Sequence, residues 1–140
     1  MKRTTPLFLL FLLTLTFTAF AFGKPTQADA IETFWQKFSA AVRSSNKSAV
    51  AALTRFPVEM SYGIRSIRTR AELMRRYRQV FNEQTDSAKC FEKAQPEKDA
   101  QDPKQFSVAC PDAAGNEVVI YHFKQTKMGW RFVALDNINE

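Results

Sequence analysis

The chain has 140 residues, with 20 Lys and Arg against 14 Asp and Glu and a net charge of +6. That length suits one domain with a modest core and is short for two. The charge is too mild to imply nucleic acid, and two cysteines with a single histidine fall short of the roughly four ligands of a structural zinc, so neither partner is expected.

At the N-terminus, Lys2 and Arg3 precede an apolar run from Leu7 to Phe22 that ends in Ala19-Phe20-Ala21. A charged start, a short apolar middle and small residues two apart read as a secretory signal over residues 1–21, cut after Ala21. The alternative is an uncleaved anchor, because Thr4 to Gly23 is uncharged and about as long as a bilayer-crossing helix. Thr14, Thr16 and Thr18 dilute the run and Pro6 shortens it, which favours cleavage. The working chain is then periplasmic or extracellular, a linker over 22–28 followed by a single domain over 29–138. In such a compartment the pair Cys90 and Cys110 is read as a disulfide.

From Asp29 to Arg43, apolar residues at Ile31, Phe34, Trp35, Phe38, Ala41 and Val42 mark one face of a helix. Ser44-Ser45-Asn46 breaks it, Ser48 to Thr54 forms a second short helix, and Pro57 stops that one. Val58 to Tyr62 alternates as a half-buried strand, Gly63 turns the chain, and Ile64 to Ile67 makes a short second strand. Thr69-Arg70-Ala71-Glu72 fits a capping box, opening a helix with Leu73, Tyr77, Val80 and Phe81 on one face. Four strands follow over Ala88–Phe91, Phe106–Cys110, Val118–Lys124 and Trp130–Leu135. Between the first two lies the charged loop Glu92–Lys104, and an antiparallel pairing centred on Ala100 would set Cys90 opposite Cys110.

This order predicts an α+β domain, with N-terminal helices on one face of a bent, mostly antiparallel sheet. Val118, Ile120 and His122 share one face of the third of the late strands, and Val119, Tyr121 and Phe123 the other. Both read as largely apolar, and helices cover only one, so the bare face either closes on itself at the sheet's curve or meets a second copy of the chain, and a homodimer is expected.

The order resembles the nuclear transport factor 2-like superfamily, a cone-shaped α+β fold. The residues that carry the resemblance are Phe34-Trp35 with Phe38, the short helix running into Phe56-Pro57, the segment Gly63–Phe81, and the hairpin with Gly129-Trp130 followed by Asp136-Asn137. The match spans about 29–138, and the closing hairpin resembles small exported bacterial members. The resemblance implies that any chemistry sits in the cone's cavity. Isomerase-type members place a carboxylate base, a Tyr and a protonated acid there. The corresponding stretch is Glu59-Met60-Ser61-Tyr62, where Met60 and Tyr62 are set to face the helices and Glu59 to point away. Dehydratase-type members use His and Asp, and here His122 and Asp136 fall on adjacent strands.

Trp35, Tyr62, Arg65, Tyr77 and His122 are the candidate pocket residues: aromatic rings with polar tips, one guanidinium near the mouth, and one group that titrates near neutrality. Arg65, Arg68, Arg70, Arg75, Arg76 and Arg78 are a solvated face or a grip for an anionic cell-envelope ligand. The reading that results is an exported binding or interaction protein without catalysis or cofactor, holding a small molecule in its cavity. A cofactor-free lyase or isomerase using His122 with Tyr62 or Asp136 is the alternative.

Overall fold

The computed structural model describes residues 23–138, so the expected secretory signal and its expected cut after Ala21 lie outside the described residues. Among the described residues no helix is long and apolar enough to cross a membrane. The elements are α1 (Gln27–Arg43), α2 (Lys47–Ala52), β1 (Thr54–Met60), β2 (Ser66–Ile67), α3 (Arg70–Arg75), α4 (Tyr77–Phe81), α5 (Ser87–Cys90), β3 (Glu97–Lys98), β4 (Gln105–Pro111), β5 (Glu117–Thr126) and β6 (Gly129–Asn137).

α1 starts two residues before Asp29 because the cap lies further upstream. Thr26 Oγ1 accepts from the Asp29 amide at 3.2 Å, and Asp29 Oδ2 accepts from the Thr26 amide at 2.8 Å. This reciprocal pair satisfies two amides that a helix start otherwise leaves open, so part of the expected 22–28 linker is helical. Thr69 caps α3 as its sequence suggests, accepting from the Glu72 amide at 3.1 Å, although Glu72 reaches back to the Arg68 amide rather than to that of Thr69. The expected single helix over 70–81 is interrupted at Arg76, whose ψ of 12° falls outside helical geometry. Leu73, Tyr77, Val80 and Phe81 all remain buried.

Two expected elements are corrected. Ala88–Phe91 lies not in a strand but in and just beyond α5, whose first turn is capped by Asp86 accepting from the Lys89 amide at 3.2 Å. Four residues are too few for alternation and helical spacing to differ. Within the charged loop, Glu97–Lys98 pairs with β4 as a two-residue edge strand. The Cys90–Cys110 bond is present, with Cα atoms 5.8 Å apart, but it ties a helix to β4 rather than two strands across Ala100.

The sheet runs β2-β1-β6-β5-β4-β3. β1 and β6 are parallel and the other pairs antiparallel, so the sheet is mixed and mostly antiparallel. Helices on one face of such a sheet make the α+β arrangement that the resemblance implies. Phe38 is the centre of the packing on that face: fully buried, with ring centres of Phe123 at 5.0 Å, Phe132 at 5.6 Å and Phe81 at 6.2 Å. Edge-on and tilted ring contacts of this kind add to the area each ring buries.

One irregularity in β6 decides which side chains share a face. Phe123 pairs with Phe132, but His122 pairs with Ala134, so Val133 is an extra residue. Phe132 and Leu135 are three apart, and plain alternation would send them to opposite faces. The bulge keeps both on the helix side, opposite Phe123 and Tyr121, and turns Val133, Ala134 and Asp136 to the other.

Candidate functional site

The helix-covered side of the sheet carries the residues on which a cavity reading would rest. Trp35 on α1 is buried, its ring 4.8 Å from that of Phe91 and 6.0 Å from that of Phe123. Tyr77 on α4 is buried and donates its hydroxyl to the Val42 carbonyl at 3.3 Å, with the Lys47 ammonium 5.6 Å from its ring. Burial pushes its phenol up to about 12, because the phenolate is poorly solvated there. Tyr62, just beyond β1, is buried close to Tyr121. Tyr121 donates to the Val80 carbonyl at 3.2 Å, shares a hydrogen bond with the Ser87 hydroxyl, and has its phenol strongly raised by burial.

Arg65 and His122 are elsewhere. Arg65 is exposed in the turn between β1 and β2, where its carbonyl accepts from the Met60 amide at 3.1 Å. His122 points to the opposite side of the sheet from Tyr121 and Phe123, its immediate neighbours. The five candidates therefore do not converge: Trp35, Tyr62 and Tyr77 are core, Arg65 is turn, and His122 belongs to the open face. In the arginine run, Arg70 bonds the Ser48 carbonyl at 3.0 Å, and Arg76 pairs with Glu72 at 3.3 Å and Gln79 at 3.1 Å.

The open face holds a different constellation. Glu59 on β1, Ala134 on β6, His122 on β5 and Ser107 on β4 lie in one row across four strands. In the next row Asp136 stands opposite Ile120, and His122 Nε2 donates to Asp136 Oδ2 at 2.7 Å. Their side chains are 32% and 44% exposed, so the pair is wet. A cleft of about 360 Å³ surrounds it, lined by Arg55, Glu59, Gln105, His122, Lys124 and Asp136 among others. Glu59 points away from the helices, as the burial of Val58 and Met60 on either side of it requires. The face is consequently mixed in character, not the largely apolar surface that the alternation in β5 suggests.

Arg55, Gln105 and Lys124 escape a sequence reading because single polar or charged residues look like ordinary solvated positions. Their common feature is parity, since Lys124 is two residues from His122 and pairs with Gln105 across the ladder. Asp136 is harder to place, because without the bulge it would share a face with Phe132.

A larger depression of about 670 Å³ lies between the 82–94 segment and the end of β4. Several of its polar groups are already engaged in holding the backbone. Thr85 donates to the Pro111 carbonyl at 2.6 Å, Asp86 caps α5, and Asp112 accepts from the Ala114 and Asn116 amides at 2.8 and 3.0 Å. In the sheet-face cleft, by contrast, Arg55, Glu59 and Lys124 form no salt bridge among the described residues.

No family model matches the chain, and no curated protein does. Solved structures to which it is similar include an NTF2-like protein with a cystatin-like fold from Novosphingobium aromaticivorans, at 14% identity over 79% of this chain and 80% of that one, with a TM-score of 0.45. Another is RV0760c from Mycobacterium tuberculosis in complex with estradiol-17beta-hemisuccinate, at 11% identity over 77% of this chain and 92% of that one, with a TM-score of 0.46.

Proposed function

We propose that the chain is an exported binding protein, without catalysis of its own, that takes a small polar ligand on the open face of its sheet. The observation that carries this reading is the division between the two faces. Where enzyme chemistry would be sought, under the helices, ring stacks on ring around Phe38; the charged groups stand in the cleft on the other side. Arg55 and Lys124 supply cations there, and Glu59 and Asp136 supply acceptors, a set that fits a molecule carrying both signs of charge. The disulfide and the charged-then-apolar N-terminus support export. A lyase or isomerase would have to work with His122 and Asp136 in open water, since Tyr62 lies on the far side of the sheet.

Native mass spectrometry of the protein recovered after export tests this reading. A bound mass is expected in the parent chain and is lost in a Glu59→Ala/Asp136→Ala variant that stays folded. Retention of that mass by the variant would overturn the assignment, as would bare protein in both.

The homodimer expected from the sequence would use this same surface. Its apolar part is Ile120, opposite Asp136, and Ala134, opposite His122, both half-buried, while Val133 at the bulge is buried. Sedimentation at micromolar concentration reads it: a dimer that a folded Ile120→Asp variant converts to monomer supports the interface, and a parent chain that sediments as monomer removes it.

A further inference from the structure

The β5–β6 hairpin ends in a second surface, at whose edge Arg55 and Lys124 also line the cleft around His122. Its turn is Thr126-Lys127-Met128-Gly129, with φ of 87° at Gly129, a left-handed value that glycine adopts without strain. Thr126 Oγ1 donates to the Gly129 carbonyl at 2.8 Å and accepts from the Met128 amide at 3.1 Å. The tip is thus held in one shape, and it presents Met128 with 70% of its surface exposed. Beside it lies a shallow depression of about 620 Å³ lined by Arg55, Lys104, Gln125, Thr126, Lys127 and Met128, without a carboxylate. Lys124 and Arg131 stand opposite each other two pairs along the same hairpin from Thr126 and Gly129, and the Gln125 amide bonds the Lys104 carbonyl at 2.9 Å. Asp102 accepts from the Lys104 amide at 2.9 Å and from the Gln105 side chain, and the charges of Lys104 and Lys124 act on it. None of the five cations forms a salt bridge among the described residues.

We infer that this hairpin end docks on an anionic phospholipid surface, with Met128 entering the headgroup zone and Arg55, Lys104, Lys124, Lys127 and Arg131 facing lipid phosphates. Charge complementarity selects an anionic partner. The protruding methionine selects a bilayer over a polyanionic polymer, because a polymer reads the cations alone and gains nothing from an apolar tip. A preformed turn costs no ordering on contact. Each lysine near such a surface is worth about five-fold in affinity, and the attraction falls within a Debye length. Lys104, Lys127 and Met128, the positions varied below, lie outside the sheet-face cleft, so their substitution leaves that cleft's lining unchanged.

Vesicle co-sedimentation of the exported protein tests it, with every variant compared in the same processed form. Binding to vesicles of 30% phosphatidylglycerol in phosphatidylcholine is expected, with little to phosphatidylcholine alone, and 0.5 M salt should release it. Lys127→Ala should weaken binding about five-fold and Lys104→Ala/Lys127→Ala about 25-fold. Met128→Ser should weaken it while leaving the salt dependence in place. Arg75→Ala/Arg78→Ala, on the helical side, should leave it unchanged. Equal binding to both vesicle types, indifference to the lysine substitutions, or loss through Arg75 and Arg78 would each overturn the inference. So would binding to dextran sulfate with the same lysine dependence and none to vesicles, which would make the partner a polymer.

Discussion

Alternate residues of β5 face two different environments. Tyr121 and Phe123 have no exposed surface and meet rings from α1, α4 and β6, whereas His122 and Lys124 look into water and charge. On the first side nearly every position is fixed by volume, since a ring removed from a close-packed cluster leaves a hole that its neighbours fill only in part. On the second side little is fixed by packing, and the side chains there are open to selection for contact with something else. Close-packed rings are thus concentrated on the helix side, and charged side chains on the other.

Truncation at the two ends of this contrast should give the largest difference. Phe38→Ala, at the hub of the aromatic cluster, is expected to lower unfolding free energy by about 3–5 kcal/mol. Ser107→Ala, in the open-face row, should stay within about 0.5 kcal/mol of the parent. Urea unfolding of both variants checks the pair. Comparable losses would mean that the open face contributes to folding stability no less than the helix side does.

The helix side is also the side legible in the sequence. Ile31, Phe34, Trp35 and Phe38 repeat at helical spacing, and all four are buried. Cys90 and Cys110 pair as their number and the expected export suggest, because that argument does not need the secondary structure around them. The route between them is not legible, because Ser87–Cys90 is one short turn held by its cap, and a cap is a local hydrogen bond that periodicity does not register. The open face is obscured for a related reason. Alternation is a local rule, and the bulge at Val133 breaks it once, which moves Asp136 from beneath the helices to the side of His122. Only the partner strand shows that break, and Phe132 and Leu135 three residues apart are its single trace in the sequence.

A smaller effect, confined to alkaline pH, should mark the buried tyrosines. The Tyr77 phenol is raised to about 12 from an ordinary 10, so the folded chain keeps a proton that the unfolded chain loses across that interval. Its contribution is fully present below pH 10 and is lost as pH rises toward 12. Tyr121, raised further by its burial, acts in the same direction. Urea midpoints at pH 9 and pH 11 should therefore separate in the parent chain and separate less in Tyr77→Phe. An unchanged separation would place the Tyr77 hydroxyl in contact with solvent and out of the core.

The smallest expected effect concerns the pair at the middle of the open face. His122 and Asp136 are bonded at 2.7 Å, but with 32% and 44% of their side chains exposed, water screens the interaction and competes for both partners. Exposed pairs of this kind contribute at most about 1 kcal/mol. A double-mutant cycle over His122→Ala and Asp136→Ala should return a coupling below that value, shrinking further in salt, while each single variant stays close to the parent in stability. That outcome leaves the pair free to exchange its internal bond for one to a ligand, which the proposed binding role requires. A coupling of several kcal/mol, insensitive to salt, would instead make His122–Asp136 a structural clamp across β5 and β6, and the ligand site would have to be sought elsewhere on the molecule.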